Sequence, residues 1–154
     1  MKVYAEALYV DPSVKTALAQ FEAEAAKPSE NLYNALITGD FAKLFVLHFV
    51  RDAGSDKVAD SMKDALSKNP NMSAPDVQKD TQAFVTACTV DMKDGQTLKV
   101  FVKGDEVTVI PPSGNATVIN NGKLADAIPA IWLGKNPISD DLKKALVSRL
   151  PQIL

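Results

Sequence analysis

A chain of 154 residues with 46% hydrophobic content is long enough for one domain with a core of its own. Lys plus Arg (17) nearly balance Asp plus Glu (19), and the lysines are scattered, so the electrostatic footprint of a nucleic-acid binder is missing. No run approaches the roughly 18–20 apolar residues of a membrane span, and the N-terminus reads as a strand rather than a basic region ahead of an apolar core, so a soluble protein is expected.

Residues 2–10 alternate well enough for a first strand, and Asp11-Pro12 offers an N-cap and a first-turn proline to a helix whose stripe is Val14, Leu18, Phe21 and Ala25. Pro28-Ser29 ends that helix. Leu32 to Leu36 reads as another short helical piece, closed by Gly39. The run from Phe41 to Val50 is the element around which the rest is organised. From Leu44 to Val50 both faces are apolar except at His48, the pattern of a central strand covered on both sides, or on one side plus the edge of a pocket. It passes through Arg51-Asp52-Ala53-Gly54 into a helix with Ser55 as N-cap, in which Val58, Ala59, Met62, Ala65 and Leu66 share one arc. Asn69-Pro70 stops it, and Ser73-Ala74-Pro75-Asp76 is a capped start for the next helix, which extends to Cys88.

After a turn at Asp91 to Gly95 the spacing changes from helical to alternating. Thr97 to Val102 and Glu106 to Ile110 are β-rich runs joined by the hairpin signal Lys103-Gly104-Asp105, and Ala116 to Ile119 adds a third strand to an antiparallel meander. Asn120-Asn121-Gly122 leads into Leu124 to Leu133, apolar almost all round and therefore buried on more than one side, with Pro129 expected to kink or divide it. Ser139-Asp140-Asp141 caps a last helix with Leu142, Ala145, Leu146 and Leu150 inward and Lys143, Lys144 and Arg149 toward its basic end, where Pro151 stops it. The order of elements predicts an α+β domain with helices covering one side of a largely antiparallel sheet.

Common site chemistries lack support. One cysteine excludes an internal disulfide and a multi-cysteine metal site, one histidine speaks against zinc, and no metal or cofactor is expected. Cys88 lies on a helical stripe with Val77, Thr81 and Phe84 and reads as a small buried hydrophobe, and His48 reads as structural. A helix N-terminus explains Asp140-Asp141, and a turn explains Asp91 and Asp94. There is no phosphate-binding glycine loop, nucleophile elbow, Cys-x-x-Cys or His-Glu-x-x-His.

A resemblance carries the reading further. Ile37-Thr38-Gly39-Asp40, then Phe41-Ala42-Lys43-Leu44-Phe45, followed by Ser55-Asp56-Lys57-Val58, resembles the strand-to-helix unit of the chalcone isomerase superfamily. Asn121-Gly122-Lys123-Leu124, then Ile131 to Ser139 and Leu142 to Leu150, is similar to that family's C-terminal pair of helices, with Trp132-Leu133-Gly134 similar to its bacterial chalcone isomerase-like branch. The resemblance spans nearly the whole chain. It implies an open-faced β-sandwich whose pocket lies between a large antiparallel sheet and a helical layer. It also implies a single domain over residues 1–154 that lacks the family's N-terminal strands, and with them the catalytic arginine.

Family members are cofactor-free isomerases that cyclise a chalcone to a flavanone, fatty-acid-binding proteins, or non-catalytic relatives. Position by position, the isomerase's pocket threonine is matched by Tyr4, its tyrosine before the helix by Gly54, its helix asparagine by Ser61, and its late polar residue by Ile131 followed by Trp132. Lys57 and Val58 are kept. Isomerisation needs cationic donors for a developing enolate, which this set does not supply, so no catalytic residue is assigned. A fatty-acid site needs an apolar slot ending in a cation or hydroxyl. The resemblance implies Lys57, Arg51 and Tyr4 for that end, with Val58, Ser61, Met62, Ile131, Trp132 and one face of the Phe45 to Phe49 strand along the slot. On spacing alone, Trp132 and Met62 are ordinary core and Lys57 is a solvated lysine. The expectation is a non-catalytic protein that binds a fatty acid or similar amphipathic small molecule. The alternative is a chalcone–flavanone isomerase with a rearranged active site. Sequence leaves open the oligomeric state and the compartment, which is the cytoplasm, or the periplasm or a plastid after removal of a targeting segment.

Overall fold

The structure, a computed structural model, describes residues 3–154; the Lys2 end of the expected first strand lies outside them. Among the described residues, five strands form one sheet in chain order: β1 (Tyr4–Val10), β2 (Lys43–Phe49), β3 (Thr97–Lys103), β4 (Glu106–Ile110) and β5 (Thr117–Asn120). Every neighbouring pair is antiparallel. The β3–β4 hairpin turns on Gly104-Asp105, with Gly104 at φ 57°, a dihedral only glycine adopts without cost.

Alternation assigns the two faces. The register puts Phe45 and Leu47 beside Val100 and Leu98, then Val109 and Val107, then Ile119, and all of these are buried. Tyr4, Glu6 and Leu8 of β1 fall on that same face, opposite Phe49, Leu47 and Phe45. The other face shows Tyr9, Leu44, Phe101, Thr108 and Val118 in one row across all five strands, with Tyr9 61% and Val118 55% exposed. The sheet is therefore covered on one side. Of the two readings of β2 this leaves the second, cover on one side plus the edge of a pocket: it is an interior strand, second in the order, whose apolar outer residues Leu44 and Val46 are half-buried and whose His48 is exposed.

The helices α1 (Val14–Ala17), α2 (Glu30–Thr38), α3 (Ser55–Ser67), α4 (Pro75–Ala87), α5 (Gly122–Leu133), α6 (Asp140–Leu146) and α7 (Leu150–Ile153) complete the α+β fold. The expected first helix is two pieces, because Leu18 leaves helical geometry at φ −114° and the chain continues as a 3-10 turn over Ala19–Glu24. Val14, Leu18 and Ala25 are nevertheless all buried. Helix α5 is continuous through Pro129 and buried along most of its length, packing that makes up for the one missing backbone donor.

Two helix starts differ from expectation. Gly54 rather than Ser55 occupies the N-cap of α3, and the Ser55 N–H donates to the Asp91 carboxylate at 2.8 Å. Ala74, which has no side-chain acceptor, precedes α4, so Pro75 alone marks that start. At the C-terminus the last helix breaks after Leu146, and Pro151 opens α7 instead of stopping α6, since a first-turn proline forfeits no helical hydrogen bond. Ala145, expected inward, is exposed. Lys143, expected at a solvated basic end, is 8% exposed. Its Nζ donates to Glu30 Oε1 (2.9 Å) and Gly134 O (2.8 Å) and lies 4.4 Å from the centre of the Tyr33 ring. That one ammonium ties α6 to α2 and to the end of α5. No helix of the described residues is long and apolar enough to cross a membrane.

Candidate functional site

One end of the sheet's covered face opens into a cleft of about 700 Å3. Its floor comes from Val3 and Tyr4 on the β1 side, Phe49 at the end of β2, and Ala53 in the following turn. One wall is the α3 face that presents Lys57, Val58, Ser61 and Met62, residues one turn apart and therefore side by side. The opposite wall is Ile138, Ser139, Asp141, Leu142 and Ala145, at the start and along one side of α6.

The β2–α3 wall is held by a reciprocal clasp. Asp91 accepts from the Ser55 N–H, Asp52 accepts from the Asp94 N–H at 2.8 Å, and Ala53 and Met92 exchange both backbone bonds at 2.8 Å. Tyr4 is fixed as closely. Its ring lies 5.5 Å from Phe49 at 48°, and its hydroxyl accepts from Trp132 Nε1–H at 3.2 Å. Trp132 is in turn fully buried and stacked on Phe45 at 4.8 Å. Burial, reinforced by the nearby charge of Glu6, pushes the Tyr4 phenol up to about 12, so it stays a neutral hydrogen-bonding group at ordinary pH. Val58 and Met62 are buried, while Lys57, Ser61 and Asp141 are exposed. The cleft thus has an apolar interior and a polar rim.

Residues 1–148 match the chalcone isomerase-like family. The chain belongs to that family. Among solved structures it is similar to a crystal structure of an Arabidopsis thaliana fatty-acid binding protein, with a TM-score of 0.75 at 17% identity, covering 98% of this chain and 79% of that one. At that identity the likeness is one of fold, and it agrees with the open-faced, one-sided sheet described above. No curated protein matches the chain.

Within this chalcone isomerase-like fold, Tyr4, Lys57, Val58, Ser61 and Met62 meet around the cleft. The other three expected residues do not line it. Trp132 stands behind the floor, supporting Tyr4. Ile131 faces a second groove, between α2 and α5, with Ile37 and Ala127, because one helical step turns it away from Trp132. Arg51 is exposed in the turn after β2 and lies outside the cleft lining. Gly54 caps α3 and brings no hydroxyl to the position of the family tyrosine. Among the described residues Lys57 is the cation of the lining, and no cluster of three or more His, Cys, Asp or Glu is placed to hold a metal ion. Cys88 is fully buried, and burial pushes its thiol up to about 12, leaving it unreactive.

Two features escaped the sequence. The α6 wall was read as a structural helix only. Glu6, in contrast, was within reach, since strict alternation in β1 places it on the face of Tyr4 and Leu8. Both of its carboxylate oxygens are buried without a hydrogen-bond partner, and burial pushes the carboxyl up to about 9.

Proposed function

We propose that the chain binds a fatty acid or a similar amphipathic small molecule in the cleft and does no chemistry on it. The observation that carries this reading is an apolar cleft of about 700 Å3 with a lysine on its rim, within the usual range of about 300–1,000 Å3 for small-molecule sites. Each methylene that Val58, Met62, Phe49 and Leu142 remove from water contributes about 0.8 kcal/mol. Lys57, exposed at the rim, gives a carboxylate a charge-assisted partner without the cost of burying either charge. The fold likeness to a fatty-acid binding protein supports the same ligand class. Flavanone formation would require several donors around a developing enolate, whereas this cleft combines one rim lysine with a tyrosine that holds its proton.

Native mass spectrometry of freshly purified protein, with identification of extracted ligands, followed by titration with hexadecanoic acid, tests the proposal. The expected result is a one-to-one complex that Lys57→Ala weakens about three- to fivefold, an effect reduced by salt as for any exposed pair. Failure to take up the acid, or flavanone formation from a chalcone above the uncatalysed rate, would overturn it.

A further inference from the structure

Tyr4 and Glu6 project from the same face of β1, two residues and so about 6.7 Å apart along the strand. The Tyr4 oxygen already accepts the Trp132 N–H, and among the described residues nothing takes the proton that Tyr4 itself can donate. Glu6 has two buried oxygens without any partner. Tyr4, whose hydroxyl keeps a free proton, lines the cleft, and the unpartnered Glu6 carboxyl follows it on the same face of β1, behind the lining. Buried polar groups in this state destabilise a protein unless something completes them.

We propose that Tyr4 and Glu6 form an inner polar subsite for the buried end of the ligand, one that takes a hydroxyl group able to accept from Tyr4 Oη–H and donate to the Glu6 carboxyl. This rests on the binding function proposed above and narrows it: the ligand carries its carboxylate at Lys57 on the rim and a hydroxyl at its inner end. A purely hydrocarbon end would leave both groups unpaired. The Glu6 carboxyl lies behind the lining, and α6, which packs on β1, covers that strand. Leu142, half-buried on α6, belongs to the cleft wall.

Calorimetric titration of hexadecanoic acid against its ω-hydroxy derivative tests this with the wild type, Glu6→Leu and Glu6→Gln. The wild type should prefer the hydroxy acid about tenfold, the scale of a buried hydrogen-bonding group gained against one left unpaired. Glu6→Leu should abolish that preference. Glu6→Gln, a neutral donor and acceptor of the same shape, should keep it. Equal binding of the two acids by the wild type, or a preference that survives in Glu6→Leu, would overturn the subsite while leaving the binding function standing. If Glu6→Leu fails to fold, the wild-type comparison decides. Binding of neither acid removes the proposed function and the subsite with it.

Discussion

Glu6 and Lys43 share the covered face of the sheet, yet the fold treats them differently. Lys43 is 2% exposed, but its Nζ donates to Gly39 O at 2.6 Å and lies 4.7 Å from the centre of the Phe41 ring. Burial lowers its amine to about 8, and Asp126 and Asp40 limit the shift. Glu6 has no such support and is raised to about 9 by burial alone. The two titrations act over pH windows that overlap only between about 8 and 9. A folded value raised from 4.5 to about 9 means that the unfolded chain ionises first. Stability from Glu6 is therefore complete below 4.5 and falls as pH rises toward about 9. For Lys43 the folded value is lowered from 10.5, so stability rises between about 8 and 10.5. Urea denaturation at pH 4 and pH 7 thus isolates Glu6. Glu6→Gln should resemble wild type at pH 4 and be more stable by about 3 kcal/mol at pH 7. An equal difference at both pH values would show that the carboxyl is ionised in the folded protein throughout.

At the scale of elements, the stripes of α3 and α5 and the alternation of β3 and β4 were legible because each lies within a dozen residues of contiguous sequence. The Ser139 cap was legible too, its hydroxyl accepting from the Leu142 N–H, whereas the other caps were not, because their partners come from far along the chain. Asp91 caps α3 from the loop before β3. Asn121 accepts from the Lys123 and Leu124 N–H groups and donates from Nδ2 to Asp76 O and Asp80 Oδ2, both at 3.0 Å, joining α5 to α4. Sequence reading found Asn121 only as a turn residue and Ser55 as a cap it does not make. Asp91→Ala should cost about 1 kcal/mol of stability, the usual worth of a side-chain cap. Because Asp91 holds the Ser55 N–H at the start of α3, the helix that forms one cleft wall, it should also weaken ligand binding. Asn121→Ala removes a cap and an interhelical tether together and should cost about 2 kcal/mol by chemical denaturation, with the cleft unaffected.

Over the whole molecule, element order alone gave an antiparallel sheet with helices on one side. At β2 the sequence left two-sided and one-sided cover open because Leu44 and Val46 are as apolar as core residues, and composition does not distinguish a covered face from an exposed one. Five of the eight expected cleft residues converge, four because they lie one turn apart on α3 and the fifth, Tyr4, because β1 pairs with the end of β2 that leads into α3; the α6 wall comes from far later in the chain and left no local signal. What joins these parts is Trp132, the chain's single tryptophan. It belongs to α5, stacks on Phe45 in the sheet and donates to Tyr4 at the cleft floor. Its fluorescence therefore reports the contact between sheet and helical layer, while far-UV dichroism reports the secondary structure of both. With one continuous core, the two signals should trace the same unfolding transition. Separate transitions would mean that the helices leave the sheet before either melts. Trp132→Ala, which opens a cavity at this junction, should cost about 3–5 kcal/mol. Trp132→Phe retains a ring over Phe45 and should cost less. It still deprives Tyr4 of its fixed donor, so ligand affinity should fall further than the loss of stability alone explains. An affinity loss no larger than that from an equally destabilising Asn121→Ala would mean that the Trp132–Tyr4 bond serves only the core.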